Sequence, residues 1–259
     1  MATEKSLADT LKEKMKEPSV EEPSTEVESK PDSENLTEGE EEKIEEASEK
    51  ISNKDIEEEK KSISSKEETL IPLEDYIKCA VHLGTKVITP HMKKFVYKRR
   101  ADGLAVINTI LIDKQLRESI AFINKYEPAT IYLCCKREAG WEAARKFEEL
   151  TGIRVFTKKY SPGITTNLEL EDFFEAELTI ICDPWIDKNA LNDTIKLKKP
   201  IISLCDTNNY TQNITNIIPC NNKSAKSIGC ILYILAREYN KAKGKEFTAK
   251  LEDFTGPLE

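Results

Sequence analysis

Three carboxylates in this 259-residue chain, Asp183, Asp187 and Asp206, stand just beyond two strand-like apolar runs. Gathered at one place, they could hold a divalent cation or exchange protons with a substrate. Aspartates at strand ends also cap turns and helix starts by accepting backbone N–H groups. The capping reading is the stronger, since no His, Ser or Cys nucleophile stands at matching spacing and neither G-x-G-x-x-G nor the Walker pattern occurs. The stretch SPGITTN (Ser161 to Asn167) offers a second chemistry. Backbone N–H groups of its glycine turn, with Thr165, Thr166 and Asn167, could cradle a phosphate, including one of an RNA backbone. An ordinary Pro-Gly turn accounts for the same residues and carries more weight.

Cations make the better-supported constellation. Lys93, Lys94, Lys98, Arg99 and Arg100 fall within eight positions, interleaved with Phe95 and Tyr97. Lys136 and Arg137, then Lys158 and Lys159, follow two apolar runs, and Asn221 and Asn222 precede Lys223 and Lys226. Scattered surface lysines are common, but clusters at strand ends and helix starts collect on one rim of an alternating α/β fold and suit a phosphate backbone. Phe95 and Tyr97 either stack on bases or anchor their segment to the core, and anchoring is preferred. His82 and His91 read as structural, because two isolated histidines do not make a catalytic set.

Charge is unevenly spread. Residues 1–70 hold 11 Lys and no Arg against 23 Asp and Glu, a net of −12, whereas 28 cations and 24 acids give residues 71–259 a net of +4. The first segment contains no Phe, Trp, Tyr, His or Cys. Such a composition buries too little to offset chain entropy, so 1–70 is expected to be a disordered acidic extension whose partner is unknown. Within it, Ser6 to Glu17 places Leu7, Leu11 and Met15 at helical spacing; a fraying charged helix is preferred over a partner-binding one. The remainder suits one domain over 71–244 followed by a polar tail at 245–259.

No signal peptide is legible, and the longest late apolar run, Ile228 to Ala236, falls well short of the ~20 residues that span a bilayer. The chain therefore reads as soluble and cytoplasmic, with no membrane partner. Its seven cysteines, with Cys134, Cys182 and Cys205 in strand-like runs, fit that compartment as small buried hydrophobes. The absence of any C-x-x-C pair argues against a structural zinc site, so neither metal nor cofactor is expected.

These residues need elements to hold them. Leu104 to Asn108, Thr130 to Cys135, Arg154 to Thr157, Leu178 to Cys182 and Ile201 to Cys205 read as five strands, nearly continuous in apolar residues as in sheets covered on both faces. Helical stripes alternate with them: Ile112, Leu116, Ile120 and Ile123; the turns around Phe147, stopped at Gly152; Leu170 to Ala176; Ala190 to Leu197; and Ser224 to Ala242. Five alternations with right-handed crossovers imply a three-layer α/β/α sandwich, flavodoxin- or Rossmann-like, with a mostly parallel five-stranded sheet. Leu73 to Leu83 is expected to dock as a helix ahead of it, and Gly244 to Glu259 to be polar and loose.

Six ordered segments, YIKCAVHLGTK (Tyr76 to Lys86), FVYKRRADGLAVIN (Phe95 to Asn108), SPGITTN, DPWID (Asp183 to Asp187), ISLCDT (Ile202 to Thr207) and IPCNNKSAKSIG (Ile218 to Gly229), together resemble the small-subunit ribosomal proteins of the S-two/SA family, archaeal/eukaryotic type. The resemblance implies a non-enzymatic α/β/α domain on the ribosome. It would bind small-subunit rRNA and neighbouring ribosomal proteins at the head-body junction near the messenger exit, supporting subunit assembly and translation. Carried over by position, Lys93 to Arg100, Pro162 to Asn167 and Asn221 to Lys226 would approach rRNA or those proteins. Eukaryotic members carry their acidic tail after the domain, whereas here it comes first, and Cys230 to Tyr233 holds one aromatic where several are usual. Laminin binding is therefore not transferred, and an archaeal source is favoured. The competing readings are a nucleotide- or metal-dependent enzyme on a Rossmann-like sheet, centred on Asp183 and Asp206, and a free adhesion or scaffold protein working through its tail.

Overall fold

The computed structural model describes residues 69–257. The readings made for the acidic extension, including Ser6 to Glu17, lie outside these residues.

The chain opens with a short helix, α1 (Leu73–Lys78), and then a two-stranded antiparallel ribbon, β1 (Val96–Arg99) with β2 (Ala105–Ile107). Five further strands, β3 (Ile131–Cys134), β4 (Arg154–Phe156), β5 (Leu178–Ile181), β6 (Ile201–Cys205) and β7 (Asn216–Pro219), form a wholly parallel sheet in the order β4-β3-β5-β6-β7. Helices α2 (Thr109–Ile123), α3 (Trp141–Thr151), α4 (Lys188–Lys196) and α5 (Ala225–Ala242) surround it, and α6 (Leu251–Thr255) closes the described chain.

Strand periodicity assigns the two faces. Ile131, Leu133 and Cys135 point into the larger core with Ile112, Leu116, Phe147, Ile228 and Leu235, which come from α2, α3 and α5. Tyr132 and Cys134 alternate with them and face a smaller core with Tyr160, Ile164, Ala176 and Ala190 of α4. Both faces are therefore covered, as the continuous apolar runs require, and the three-layer α/β/α sandwich is observed. Thr179, the polar member of β5, meets Thr194 of α4 at 3.0 Å rather than remaining unpaired.

Local signals explain the helices that were legible. Asn108 caps α2 by accepting the Ile110 N–H at 3.0 Å, and the stripe Ile112, Leu116, Ile123 is buried. Gly152 ends α3 in the left-handed region, φ +77°, where a side chain would be strained.

Four expectations are corrected. The run Leu104 to Asn108 supplies β2 of the ribbon, and the fifth parallel strand is Asn216–Pro219. Leu170 to Ala176 forms turns instead of a helix: Phe174 joins the stacked and edge-on rings of Tyr132 and Phe156, and its N–H bonds the Ile164 carbonyl. The expected docking helix stops at Lys78, because Ala80 takes φ +53° and turns the chain. The stretch after Gly244 contains α6, which buries Phe254 against Tyr233 of α5.

Candidate nucleic-acid interface

All five core strands run parallel, so their carboxyl ends share one edge of the sheet. That edge receives Lys136 and Arg137 after β3, Lys158 and Lys159 after β4, Asp183 after β5, Asp206 after β6, and Asn221 to Lys223 after β7. From β3 the neighbouring strands leave in opposite directions, β4 to one side and β5 to the other, which opens the crevice where doubly wound sheets commonly take a ligand. Here the chain's own groups fill it.

Arg137 donates from Nη2 to Asp183 Oδ2 at 2.5 Å across that crevice. The other oxygen of Asp183 accepts the Trp185 N–H at 3.0 Å, an Asx turn, and the Asn209 Nδ2 at 3.3 Å. Asp187 lies beneath, accepting the Lys136 N–H at 3.1 Å and the Asp183 N–H at 3.3 Å, with the Cys134 thiol at 3.5 Å. Burial pushes its pKa up to about 6 against those donors. Asp206 accepts the Thr207 N–H at 2.6 Å and has Lys223 Nζ at 3.4 Å; burial raises its pKa as well, with the Thr207 N–H and the lysine opposing. The three aspartates are thus engaged by backbone N–H groups and by Arg137 and Lys223, though Asp187 does not cap the helix it precedes. Among the described residues, no group of three or more His, Cys, Asp or Glu is placed to hold a metal ion.

The cations behave oppositely. Lys93, Lys94, Arg99, Arg100, Lys136, Lys158, Lys159 and Lys223 are exposed, while Lys98, Arg137 and Lys226 are half-buried. The ribbon is tied to the same edge of the sheet: Thr85 N donates to Thr207 Oγ1 at 2.9 Å, Thr89 Oγ1 to the Asn209 carbonyl at 2.9 Å, and Gly84 N to the Ala105 carbonyl at 2.8 Å. Its turn is set by Gly103, at φ +83°, and by Asp102 Oδ1 accepting the Leu104 N–H at 3.1 Å. Arg100 pairs with Asp102 at 3.6 Å in solvent, a contact of little energetic weight. The preferred anchoring role holds for one of the two aromatics only. Phe95 is buried, whereas Tyr97 is 52% exposed on the strand face it shares with Arg99.

Two other expectations fare differently. Within Pro162 to Asn167, the Gly163 N–H is taken by the Asp193 carboxylate at 3.1 Å, and the buried Thr165 hydroxyl meets Tyr160 at 3.1 Å. A carboxylate of α4 thus occupies the Gly163 N–H that a phosphate could have used, as the preferred reading of an ordinary turn allows, and Thr166 and Asn167 are exposed outside it. Asn222 is also buried, donating to the Leu204 carbonyl and to Asn209 Oδ1 at 3.0 Å, while Asn221 reaches back to the Ala80 carbonyl at 3.3 Å. Thr165 and Asn222 are framework.

Asn209 was not legible as the hub it is: its amide joins Asp183, the Asp206 N–H and Asn222. The local clue is an Asn three positions after an Asp in a polar turn. Asp193 gave no clue, since its partner Gly163 lies 30 positions away.

A family model described as ribosomal protein S2 matches residues 175–242. Small ribosomal subunit protein uS2 of Nanoarchaeum equitans is 40% identical over 192 residues, covering 74% of this chain and 94% of that protein. The proteins of the same name from Ignicoccus hospitalis, 35% identical over 192 residues, and Methanococcus maripaludis, 36% identical over 193, cover 74% and 73% of this chain and 91% and 87% of themselves. With the six motifs laid out along one three-layer domain and full-length relatives at this identity, the chain belongs to the family of small ribosomal subunit protein uS2.

Proposed function

We propose that this chain is a structural constituent of the small ribosomal subunit, without catalytic activity, that fixes rRNA backbone along the carboxyl edge of its sheet and the adjoining ribbon. The reading extends to a seat at the head-body junction among neighbouring ribosomal proteins, where the domain supports subunit assembly and translation. One observation carries it: on that edge the carboxylates are buried and paired while the cations stand outward, so the surface offered to a partner is more basic than the residue count suggests. Lys93, Lys94, Lys98, Arg99 and Arg100 on the ribbon, with Lys136, Lys158, Lys159, Lys223 and Lys226 around the edge, are the proposed phosphate contacts. Arg137 stands behind them, held by Asp183. Recognition of this kind reads the shape of the backbone more than the bases.

The test is sedimentation of cell extract through a gradient, with detection of this chain, in ordinary and high-salt buffer. We expect cosedimentation with small subunits, loss of association as salt rises, and weaker association for the K98E/R99E/R100E variant. A chain that stays at the top of the gradient under all conditions rules the reading out.

A further inference from the structure

A second surface beside this edge has different chemistry. Trp185 and Tyr210 are each 66% exposed, well above what a large aromatic side chain normally leaves in water. Both are mounted on fixed points: the Trp185 N–H is held by Asp183, and Tyr210 directly follows the buried Asn209. They flank a groove of about 450 Å³, within the roughly 300–1,000 Å³ range of small-ligand sites. Its apolar lining comes from Pro184 and from Leu191 and Ile195 of α4.

The polar lining narrows the occupant. Lys188, Asn192, Gln212 and Asn213 reach the groove, and their side chains make no hydrogen bond within the described residues. No carboxylate lines it, and Asp183, next to the lining residue Pro184, is buried and paired with Arg137. A purely apolar protein side chain would leave three amides unmatched, and an acidic peptide would find one cation. Flat apolar faces, unused amide donors and acceptors, and a single positive charge together match an unstacked base on its phosphate backbone.

We propose that the Trp185/Tyr210 groove takes unpaired nucleobases of a single-stranded RNA segment, stacking on the two rings with Asn192, Gln212 and Asn213 along the base edges and Lys188 at the phosphate. This rests on the reading of the chain as an RNA-binding ribosomal constituent, and it adds a base-contacting site to the phosphate-contacting edge.

The chain has two tryptophans, so W141F leaves Trp185 as the sole reporter. The full chain in that background is titrated with an oligoadenylate of about eight nucleotides and with an abasic oligonucleotide of equal length. We expect the oligoadenylate to quench Trp185 fluorescence and the abasic strand not to. Labelled oligoadenylate should bind W185A and Y210A on the order of tenfold more weakly per lost stack, read by anisotropy. Equal binding of the abasic strand, or unchanged affinity in W185A and Y210A, overturns the proposal. So does loss of W185A from small subunits without any base-dependent quench, an outcome that assigns the groove to a protein neighbour. Cosedimentation tests the phosphate edge and the base-dependent quench tests the groove, so the two readings fail separately.

Discussion

Asp187 is almost fully enclosed beneath the turn that follows β5, and three donors do not fully replace the water it has lost, so its pKa rises to about 6. In the unfolded chain an aspartate titrates near 3.9. The folded state therefore favours the protonated form. The group's contribution to stability is complete below about pH 4 and is lost as pH rises through 6, by about 3 kcal/mol for a shift of roughly two units. Other carboxylates titrate in the same range, so the useful quantity is a difference. Urea unfolding of the wild-type chain and of D187N between about pH 4 and pH 7 should show the wild type losing about 3 kcal/mol more than the variant across that window. Parallel curves would show that the Lys136 and Asp183 amides already satisfy the ionised carboxylate.

Elements were read correctly where a local signal and a tertiary environment agreed, and misread where the environment alone decided. The Asn108 cap and the stripe behind it specify α2 without help from the rest of the chain. Ala105 to Ile107 is buried throughout like a core strand, because α2 follows directly and the segment around Leu83 pairs on its other edge. No periodicity separates that case from a parallel strand. The strand that does complete the sheet, Asn216–Pro219, has a short apolar run ending in proline, tolerable because β7 lies at the sheet edge. Among the clustered cations the positions followed from strand ends, but the burial of Thr165 and Asn222 depends on partners distant in sequence. Helix α6 shows the same dependence. A Cβ on Gly229 of α5 would lie 2.3 Å from the Phe254 carbonyl oxygen, so the small residue is the seat of the later helix. G229A should cost about 1–2 kcal/mol, the overpacking penalty less the helix-propensity gain, and should expose the region after Gly244 to protease first. In a chain ending at Gly244 the clash is gone, and the same substitution should become neutral or stabilising by about 1 kcal/mol. A G229A cost that persists in the shortened chain would place the strain within α5 itself.

At the scale of the whole molecule, the sequence joins a segment of net −12 to a domain of net +4. A positive edge attracts any polyanion through counterion release, so on the proposed reading it would by itself hold unrelated RNA as well as rRNA. Negative charge tethered to the same chain opposes approach of every polyanion alike. An equal penalty leaves the ratio of affinities unchanged, but it brings the weaker, non-specific complexes below the concentrations at which they form while the tighter ones persist. Removing residues 1–68 keeps the Leu70 N–H on Asp113 and the Leu70 carbonyl on Arg237, leaving the domain's own contacts intact. The shortened chain should then bind an unrelated duplex RNA more tightly than the full chain at about 50 mM salt, with the gap closing toward about 200 mM as screening sets in. Filter binding across that range measures both slopes. Coincident curves at low salt would mean that the acidic segment does not reach the approaching RNA, and that selectivity resides in the fit of the edge and the ribbon alone.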